Sequence, residues 1–396
     1  MSATLIARSS HLQRLRDEGF ALEMRNGTAG VYLLVHDVPY VNDKREVQRG
    51  TLVTPLELAG DVAAAPVSNH QMWFIGDHPC NPDGTRIVEI ANAGRTDFGN
   101  GLVVDHAFSA KLRGGVQYPD YHKKVTTYVG IIEAPAKHHE PEITARTFRL
   151  VVDEPGKSVF KYADTASSRA GIGVMSTKLS MPRVAIIGLG GTGSYVLDLV
   201  AKTHVQEIHL FDHDKFHQHN AFRAPGAPAL EELVNPYKVD YFTGIYSKMR
   251  HGIIPHPEKV TADNVEQLAG FSFVFVCIDK PEARQPIIEG LIASKVPFVD
   301  VGMDVQQKGD RLFGQCRTTF CTPEKNDHIE SYVSYGTARV NDLYASDIQV
   351  ADLNALNATL AVIRWKKLFG FYEDEIREHN SIYVLSTNGL AKGAQA

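Results

Sequence analysis

The sequence has little cysteine, no long apolar run and no marked excess of either charge. Four cysteines among 396 residues are too few to cross-link a chain of this size, so we expect reduced thiols and a cytoplasmic protein. No apolar run approaches the roughly 18–20 residues of a membrane-spanning helix, and the N-terminus shows no cleavable signal pattern. The formal net charge of −5 gives no bias toward nucleic acid or an anionic membrane. We therefore expect neither a membrane nor a nucleic-acid partner.

Paired Cys-x-x-Cys motifs are absent as well. The two nearest cysteines, Cys316 and Cys321, have four residues between them, whereas a zinc ribbon needs two close pairs. We therefore expect no structural zinc. Histidines at His213, His217 and His219 are spaced like metal ligands, but they fall inside a nucleotide-binding pattern, and contacts to nearby loops explain them more simply.

The chain is long enough for two or three domains with their own cores. Residues 1–160 combine short β-like segments with turn-rich connections, which predicts an α+β or mostly β module. Residues 161–180 contain scattered glycines, which predict a linker. This linker contains Arg169. Residues 181–396 alternate apolar strands with amphipathic helices. That alternation predicts an α/β fold with a doubly wound, mostly parallel, Rossmann-like sheet.

Short apolar runs mark the expected strands, and longer periodic segments mark the expected helices. The amphipathic segment 348–368 predicts a long helix near the C-terminus. In the first module the expected strands include 31–35, 51–56, 70–75 and 86–90, with a possible strand pair in 146–160. In the α/β part they are 184–187, 207–211, 273–278, 297–301 and 312–319.

The most informative stretch begins at the apolar run 184–187. A glycine cluster and an amphipathic helix follow it, and a second apolar run, 207–211, ends in Asp212 and Asp214. These are the parts of a nucleotide-binding α/β unit. Glycines permit a tight turn close to a phosphate, and the helix N-terminus presents free N–H groups to it. The clustered glycines are Gly188, Gly190, Gly191 and Gly193.

Four more polar residues follow in order: Asn220, Arg223, Lys238 and Asp279. Arg223 and Lys238 are cations that can hold phosphates and neutralise charge in a transition state. Asp279 ends an apolar strand, where the sites of parallel sheets collect, and its carboxylate suits Mg²⁺. Asp212 is placed to bind ribose hydroxyls. The set suits ATP with Mg²⁺ better than a dinucleotide.

In this order the motifs resemble the ubiquitin-activating-type adenylyltransferases of the ThiF/MoeB family, over about residues 165–370, with Arg284 near Asp279 as part of the pattern. The resemblance implies binding of ATP and Mg²⁺. It implies that the C-terminal carboxylate of a ubiquitin-like or sulfur-carrier protein is adenylated and that pyrophosphate is released. It also implies a homodimer, and it assigns Arg169 as the upstream arginine that reaches the nucleotide. Residues 1–160 resemble the extra N-terminal modules of bacterial fusions, and we expect this module to recognise a substrate or a partner.

Some members of that family pass the activated protein to an exposed cysteine of lowered pKa, and then to a conjugating-type partner. Cys321 is the best candidate, because it begins a polar segment after an expected strand, and an ordinary loop thiol is the alternative. Cys277 and Cys316 lie in apolar strands and are expected to be structural. Cys80 follows a His-Pro pair that faintly resembles the His-Pro turn of ubiquitin-conjugating enzymes.

Two other functions stay open. An NAD-dependent oxidoreductase uses the same glycine pattern and an acid in the position of Asp212, but no catalytic His or Tyr-Lys pair stands out here. A non-catalytic nucleotide-binding scaffold keeps the fold without turnover. Replacing Arg223 or Asp279 distinguishes an enzyme from a scaffold, because only an enzyme has turnover to lose.

Overall fold

A computed structural model of the protein forms two compact units, Met1–Ser158 with Tyr162–Val174, and Val159–Lys161 with Met175–Ala396. Arg169, the predicted upstream arginine, lies outside the described residues. The structure describes residues 5–6, 8–60, 62–66, 69–88, 90–149, 158–162, 164, 167, 172–333, 335 and 348–395.

The first unit is built on a six-stranded antiparallel sheet in the order β1-β2-β3-β6-β10-β7, with two small ribbons, β4-β5 and β8-β9. Its helices are α1 (Ser10–Asp17) and α2 (Tyr121–His139), with a 3₁₀ turn at Arg113–Gly115. Its strands are β1 (Leu22–Gly27), β2 (Gly30–Val41), β3 (Val47–Pro55), β4 (Leu58–Ala59), β5 (Val62–Ala63), β6 (Gln71–Ile75), β7 (Ala91–Ala93), β8 (Thr96–Asp97), β9 (Val103–Val104) and β10 (His106–Ser109).

Both faces of strand β2 are covered, which explains its continuous apolar run. Leu33 and Val35 belong to the main core, which includes apolar residues of α1 and α2. Tyr32 and Leu34 belong to a smaller cluster on the other face. The predicted α+β or mostly β module is therefore confirmed, and its main sheet is antiparallel.

Two details of the first unit differ from the prediction. No strand covers the described residues of 86–90: Arg86 forms an isolated bridge with Cys80, and the Ala91 N–H then closes a turn on the Val88 carbonyl. Helix α2 was not predicted, because its β-branched residues, Gly130 and Pro135 all lower helix propensity. Tertiary packing overrides that propensity. Most of the possible strand pair in 146–160 lies outside the described residues.

The second unit contains one eight-stranded sheet in the order β13-β12-β11-β14-β15-β16-β17-β18. The strands are β11 (Arg183–Ile187), β12 (Glu207–Phe211), β13 (Ile253–His256), β14 (Phe273–Val276), β15 (Phe298–Lys308), β16 (Arg311–Cys321), β17 (Glu378–Val384) and β18 (Gly389–Gln395). The α-helices, with the short α3 that precedes β11, are α3 (Gly173–Ser176), α4 (Gly191–Val200), α5 (Gln218–Ala221), α6 (Lys238–Tyr246), α7 (Pro281–Ala293), α8 (Ile329–Tyr332) and α9 (Ala351–Leu368). The 3₁₀ helices are Thr177–Leu179, Leu230–Leu233 and Val265–Leu268.

The first five strands of this sheet are parallel, and the pairings from β15 to β18 are antiparallel. The chain moves outward from β11 through β12 to β13 and then returns to the other side of β11 with β14. The strand order therefore reverses between β11 and β14, and ligands of such sheets bind at this switch point. The predicted doubly wound, mostly parallel sheet is confirmed.

Alternate residues of β11 face opposite cores, as expected for a buried parallel strand. Val184 and Ile186 belong to the core that includes α4, α6 and α9. Ala185 and Ile187 belong to the core that includes α7. Both faces of the sheet are thus covered, and its ligand-binding surface is confined to the strand ends.

The described helices include none with both the length and the apolar character needed to cross a lipid bilayer.

Candidate functional site

The glycine turn follows β11 and is packed tightly against the end of β14. Gly188 has φ +87°, and a Cβ at that position would lie 2.4 Å from the Cys277 carbonyl oxygen. A Cβ on Gly193 would lie 1.8 Å from the Gly188 carbonyl oxygen. Both positions therefore require glycine for the fold itself.

The two middle glycines differ from each other. A Cβ on Gly191 would lie 2.1 Å from Nδ2 of Asn354, whose Oδ1 also accepts a hydrogen bond from Thr192. Helix α9 thus packs onto the turn through this asparagine. A Cβ on Gly190, in contrast, would meet no atom of the described residues within 4 Å, and Gly190 lines the cleft at the strand ends. The fold leaves this position open, as expected where a ligand approaches the backbone.

Asp212 fastens the glycine turn to the end of β12. Its Oδ2 accepts the Leu189 N–H at 2.7 Å, and its Oδ1 accepts the Asp214 N–H at 2.8 Å. Lys238 Nζ lies 3.5 Å from the same Oδ2 and 2.9 Å from Asp214 Oδ2. The carboxylate that we expected to bind ribose therefore holds the turn, and it also lines the cleft.

The charge of Lys238 is balanced by these carboxylates. Desolvation pushes the pKa of Asp214 upward, but the hydrogen bond and positive charge of Lys238 outweigh it, so the pKa is lowered. Lys238 is also placed by its own N–H, which donates to the Asp214 carbonyl at the start of α6. The lysine is thus a fixed cation at the cleft, already shared between two acids.

Arg223 is a cation whose charge no described residue balances. Its guanidinium makes no ion pair with any described residue, and its buried Nε has no hydrogen-bond partner among them. Its carbonyl accepts a weak hydrogen bond from Asn354 Nδ2 at 3.4 Å, which ties the backbone to α9. Arg223 lines the cleft, so this half-buried donor is available to an anion there.

Asn220 has a local structural role. Its Oδ1 accepts the His217 N–H at 2.8 Å and caps the short helix α5. It is not among the described residues that line the cleft. The structure places it just before Arg223, so it shapes the turn that carries the arginine.

Asp279 lies just beyond β14, is exposed and lines the cleft. Its carboxylate makes no hydrogen bond or ion pair with the part of the chain that the structure describes. Among those residues, one group of three side chains can bring metal-type ligand atoms within 4.8 Å of one another, namely Asp212, His213 and Asp214. Asp212 and Asp214 already face Lys238, however.

The cleft has a volume of about 1150 Å³, and all of its described lining residues belong to the second unit. It follows the carboxyl ends of the parallel strands and continues along the β15–β16 hairpin, where Gly302, Gln306 and Gln315 line it. Of the residues predicted from the sequence it brings together Gly188, Gly190, Gly191, Asp212, Asp214, Arg223, Lys238 and Asp279.

Sequence analysis missed a buried ionic cluster in this cleft. Asp300 is fully buried, and its Oδ2 accepts from Arg317 Nη2 at 2.6 Å. Arg284 Nε lies 3.2 Å from its Oδ1, an ion-pair contact without hydrogen-bond geometry. An acid in the middle of the apolar run 298–301 was the available signal, because a buried charge needs a partner.

The cysteines do not have the environment of nucleophiles. Cys321 is buried, and burial with the nearby Asp300 raises its thiol pKa to about 12. Burial also raises the pKa of Cys316 to about 11 and raises the pKa of Cys80 and Cys277. The low-pKa, exposed thiol that thioester chemistry needs is therefore not found among the described cysteines.

Comparison with protein families finds two matches. Residues 10–165 match a domain of unknown function, DUF6791. Residues 167–346 match the ThiF family. No curated protein matches the chain.

Solved structures that resemble the chain include E. coli MccB and PaaA. MccB with ATP is 15% identical, with a TM-score of 0.47 over 57% of this chain and 67% of that one. MccB with MccA-N7isoASN is 16% identical, with a TM-score of 0.48 over 59% and 70%. PaaA is 16% identical, with a TM-score of 0.45 over 56% and 75%. By the two family matches, residues 167–346 are a ThiF-family domain, which a DUF6791 domain precedes in the same chain.

Proposed function

We propose that the protein is an ATP-dependent adenylyltransferase. It activates the C-terminal carboxylate of a ubiquitin-like or sulfur-carrier protein as an acyl-adenylate. The observation that carries the proposal is the pairing of Arg223, a cation without a partner among the described residues, with the open backbone at Gly190 in one cleft. The ThiF-family domain supports an activity on carboxylates. The ubiquitin-like substrate rests on the resemblance of the motifs alone.

The residues of the cleft suit a triphosphate. The turn at Gly190 and the first turn of α4 offer backbone N–H groups, and Arg223 offers an unbalanced guanidinium. Lys238 adds a second, fixed cation. In the reaction a carboxylate oxygen bonds to the α-phosphorus, the bond from that phosphorus to the β-bridging oxygen breaks, and pyrophosphate leaves with the electron pair. No proton moves, so the protein acts through position and charge.

Asp279 is the residue that would hold Mg²⁺, which neutralises phosphate charge when bound. Its exposed carboxylate has no partner within the described residues and faces the cleft from the switch point. The group around Asp212 and Asp214 fits a dication less well. Both oxygens of Asp212 already accept backbone N–H groups, and the Lys238 ammonium repels a second cation.

We further propose that the chemistry of this chain stops at the adenylate. The raised thiol pKa values of Cys277, Cys316 and Cys321 oppose thioester formation on the ThiF-family domain. The acceptor of the activated carboxylate is then another molecule, such as a conjugating-type partner. The homodimer, the cytoplasmic location and the role of Arg169 stay predictions from the sequence.

The test is ATP–pyrophosphate exchange with Mg²⁺ and a set of ubiquitin-like proteins with free C-termini. We expect exchange that depends on the added protein and falls at least about a hundredfold in Arg223→Gln and Asp279→Asn, because each loses a charge that the transition state needs. Arg311→Gln and Asp310→Asn are matched controls, since both side chains are about nine-tenths exposed at a hairpin turn.

Three results would contradict the proposal. Exchange that survives both cleft substitutions would separate these residues from catalysis. ATP binding without exchange for any added protein would favour the scaffold. Binding of NAD in place of ATP would favour the oxidoreductase.

A further inference from the structure

The cleft contains two arginines, Arg284 and Arg317, besides the cations assigned to the nucleotide. Arg284 and Arg317 share the single carboxylate of Asp300, and no second acid of the described residues pairs with either guanidinium. Their side chains are only 8% and 13% exposed, and both line the cleft. Two buried cations on one anion leave an excess charge that is costly to desolvate. An anionic ligand beside these two arginines would balance the charge of this cluster.

The guanidinium of Arg317 is held in one orientation. Its Nη2 donates to Asp300, and its Nη1 donates to Thr319 Oγ1, which in turn donates to Asn380 Oδ1 at 2.8 Å. Its partner across the strand pair is Gly302, where an added Cβ would lie 2.7 Å from Arg317 Nη2. The missing side chain at Gly302 therefore makes room for the guanidinium. Two of its five N–H groups are used by Asp300 and Thr319, which leaves donors for a ligand.

Strand register places Arg317 beside the reacting end of the cleft. The last paired residue of β14, Val276, lies opposite Asp300. Strand β15 then continues past the parallel sheet to Gly302, which lies opposite Arg317 of β16. At the same level Arg284 Nη2 donates to the Ile278 carbonyl at 2.5 Å, one residue before Asp279. Along the strand ends the order is therefore the glycine turn, then Asp279, then Arg317.

This order provides separate places for two anionic groups, the triphosphate and the carboxylate of the acyl substrate. The glycine turn, Arg223 and Lys238 lie on the β11–β12 side, where the phosphates fit. Arg317 lies on the opposite side of Asp279, along the hairpin that continues the cleft. A carboxylate that approaches a triphosphate is repelled by it and needs a cation of its own. A guanidinium suits a carboxylate, because its parallel N–H groups match the two oxygens.

We propose that Arg317 binds the C-terminal carboxylate of the acyl substrate and sets the preference of the site for a free carboxylate. Asp300 is a positioning residue that holds this guanidinium, and Arg284 balances Asp300. The inference rests on the proposed adenylyltransferase function, and it names the group that recognises the second substrate of that reaction.

The test uses Arg317→Gln, with Arg317→Lys as the conservative variant and Arg311→Gln as the exposed control in the same hairpin. Arg317→Gln leaves Asp300 paired with Arg284, a neutral pair, so we expect the fold to persist, which thermal unfolding checks. The probes are a pool of synthetic peptides with randomised C-terminal residues and free carboxylates, and the same pool as C-terminal amides. Binding is measured with a non-hydrolysable ATP analogue and Mg²⁺, and exchange is measured with ATP.

In the wild-type protein we expect the acid pool to bind better than the amide pool and to support exchange. In Arg317→Gln we expect the preference for acids to disappear and the KM for the acid pool to rise about tenfold or more, with the ATP Kd within about twofold. Arg317→Lys should retain part of the preference, because its charge remains.

Two results would overturn the proposed carboxylate site without contradicting the proposed function. One is an unchanged preference for acids in Arg317→Gln, and the other is a loss of ATP affinity as large as the loss of peptide affinity, which would assign the guanidinium to the nucleotide. If the wild-type protein binds ATP but neither a peptide acid nor a ubiquitin-like protein binds or supports exchange, the proposed function falls and the carboxylate site falls with it.

Discussion

The four glycines of the turn after β11 are explained by different features of the structure. Gly188 allows the backbone to pass close to the Cys277 carbonyl, and Gly193 allows it to pass close to the Gly188 carbonyl. Gly191 allows Asn354 of α9 to reach the turn. Gly190 has open space beside it. Three of the positions therefore serve the fold, and the fourth leaves room for a ligand.

We predict that Gly193→Ala lowers the stability of the fold, whereas Gly190→Ala weakens ATP binding. The added methyl of Gly193→Ala would overlap the Gly188 carbonyl and lower the free energy of unfolding by about 1–3 kcal/mol. Gly190→Ala should change stability by less than about 1 kcal/mol and weaken ATP binding, because the methyl enters open space at the cleft. Chemical denaturation and ATP titration measure the two effects.

A stable Gly193→Ala protein would show that the turn can relax. Unchanged ATP affinity in Gly190→Ala would mean that the ligand does not pass this backbone.

At the scale of elements, helix α2 is joined to the first sheet by buried polar groups as well as by apolar packing. Tyr121 donates to the Pro55 carbonyl at 2.9 Å, and Tyr128 donates to the His70 carbonyl at 2.7 Å. Between them Lys124 is fully buried, and its Nζ donates to Thr54 Oγ1 and the Asn69 carbonyl. No described carboxylate lies within ion-pair distance of this ammonium.

Burial lowers the pKa of Lys124 to about 7, whereas Glu57 acts weakly in the opposite direction. The unfolded chain then binds more protons than the folded one between about pH 7 and pH 10. We predict that the stability of the first unit rises with pH across this window, by up to about 1.4 kcal/mol per pH unit relative to Lys124→Met. Below pH 7 both states are protonated, and the difference becomes constant.

Denaturation of the first unit can be followed by Trp73 fluorescence in a Trp365→Phe background, since these are the two tryptophans of the chain. Lys123→Met is the matched control, because Lys123 is exposed on the same helix. Parallel pH profiles of the wild-type protein and Lys124→Met would show that the buried amine keeps an ordinary pKa.

The β15–β16 hairpin shows how an element changes role along its length. Phe298 and Val299 are buried in the sheet, whereas Gln306, Gln307 and Lys308 are exposed beyond it. Sequence analysis placed the first strand at 297–301, since only that part is apolar. The polar extension is held by cross-strand hydrogen bonds and forms one wall of the cleft.

At the scale of the whole molecule, the two units have separate cores. The described core residues of the first unit run from Leu5 to Ala145, and those of the second run from Leu179 to Trp365, with no residue in common. All described residues of the cleft belong to the second unit. We therefore expect the described nucleotide-binding residues to keep their arrangement without residues 1–157.

We predict that a fragment of residues 158–396 folds cooperatively and binds ATP with a Kd within about twofold of the full chain. It retains the segment 159–161, where Phe160 forms a bridge with Arg250. Thermal unfolding and ATP titration check the two statements. A fragment that folds but binds ATP much more weakly would show that the first unit contributes to the nucleotide site.

Much of the site was predictable because its residues follow directly from local patterns. The ends of β11, β12 and β14 were read from apolar runs, and parallel strand ends must meet at one edge of a sheet. The glycines, Asp212 and Asp279 therefore had to be neighbours. Asn220 was predicted to bind the nucleotide, and this stays a prediction. In the structure its Oδ1 caps a short helix, and a sequence pattern alone cannot tell a ligand contact from a cap.

The sequence by itself determined the α/β class, the succession of strands and helices and the residue types at the strand ends. These depend on periodicity and on short turns, which are local. Only the tertiary structure decided which charges are paired. It balances Lys238 with two acids, leaves Arg223 without a described partner and buries Asp300 between two arginines from different elements. Pairing depends on distances between residues remote in sequence, and no local pattern encodes them.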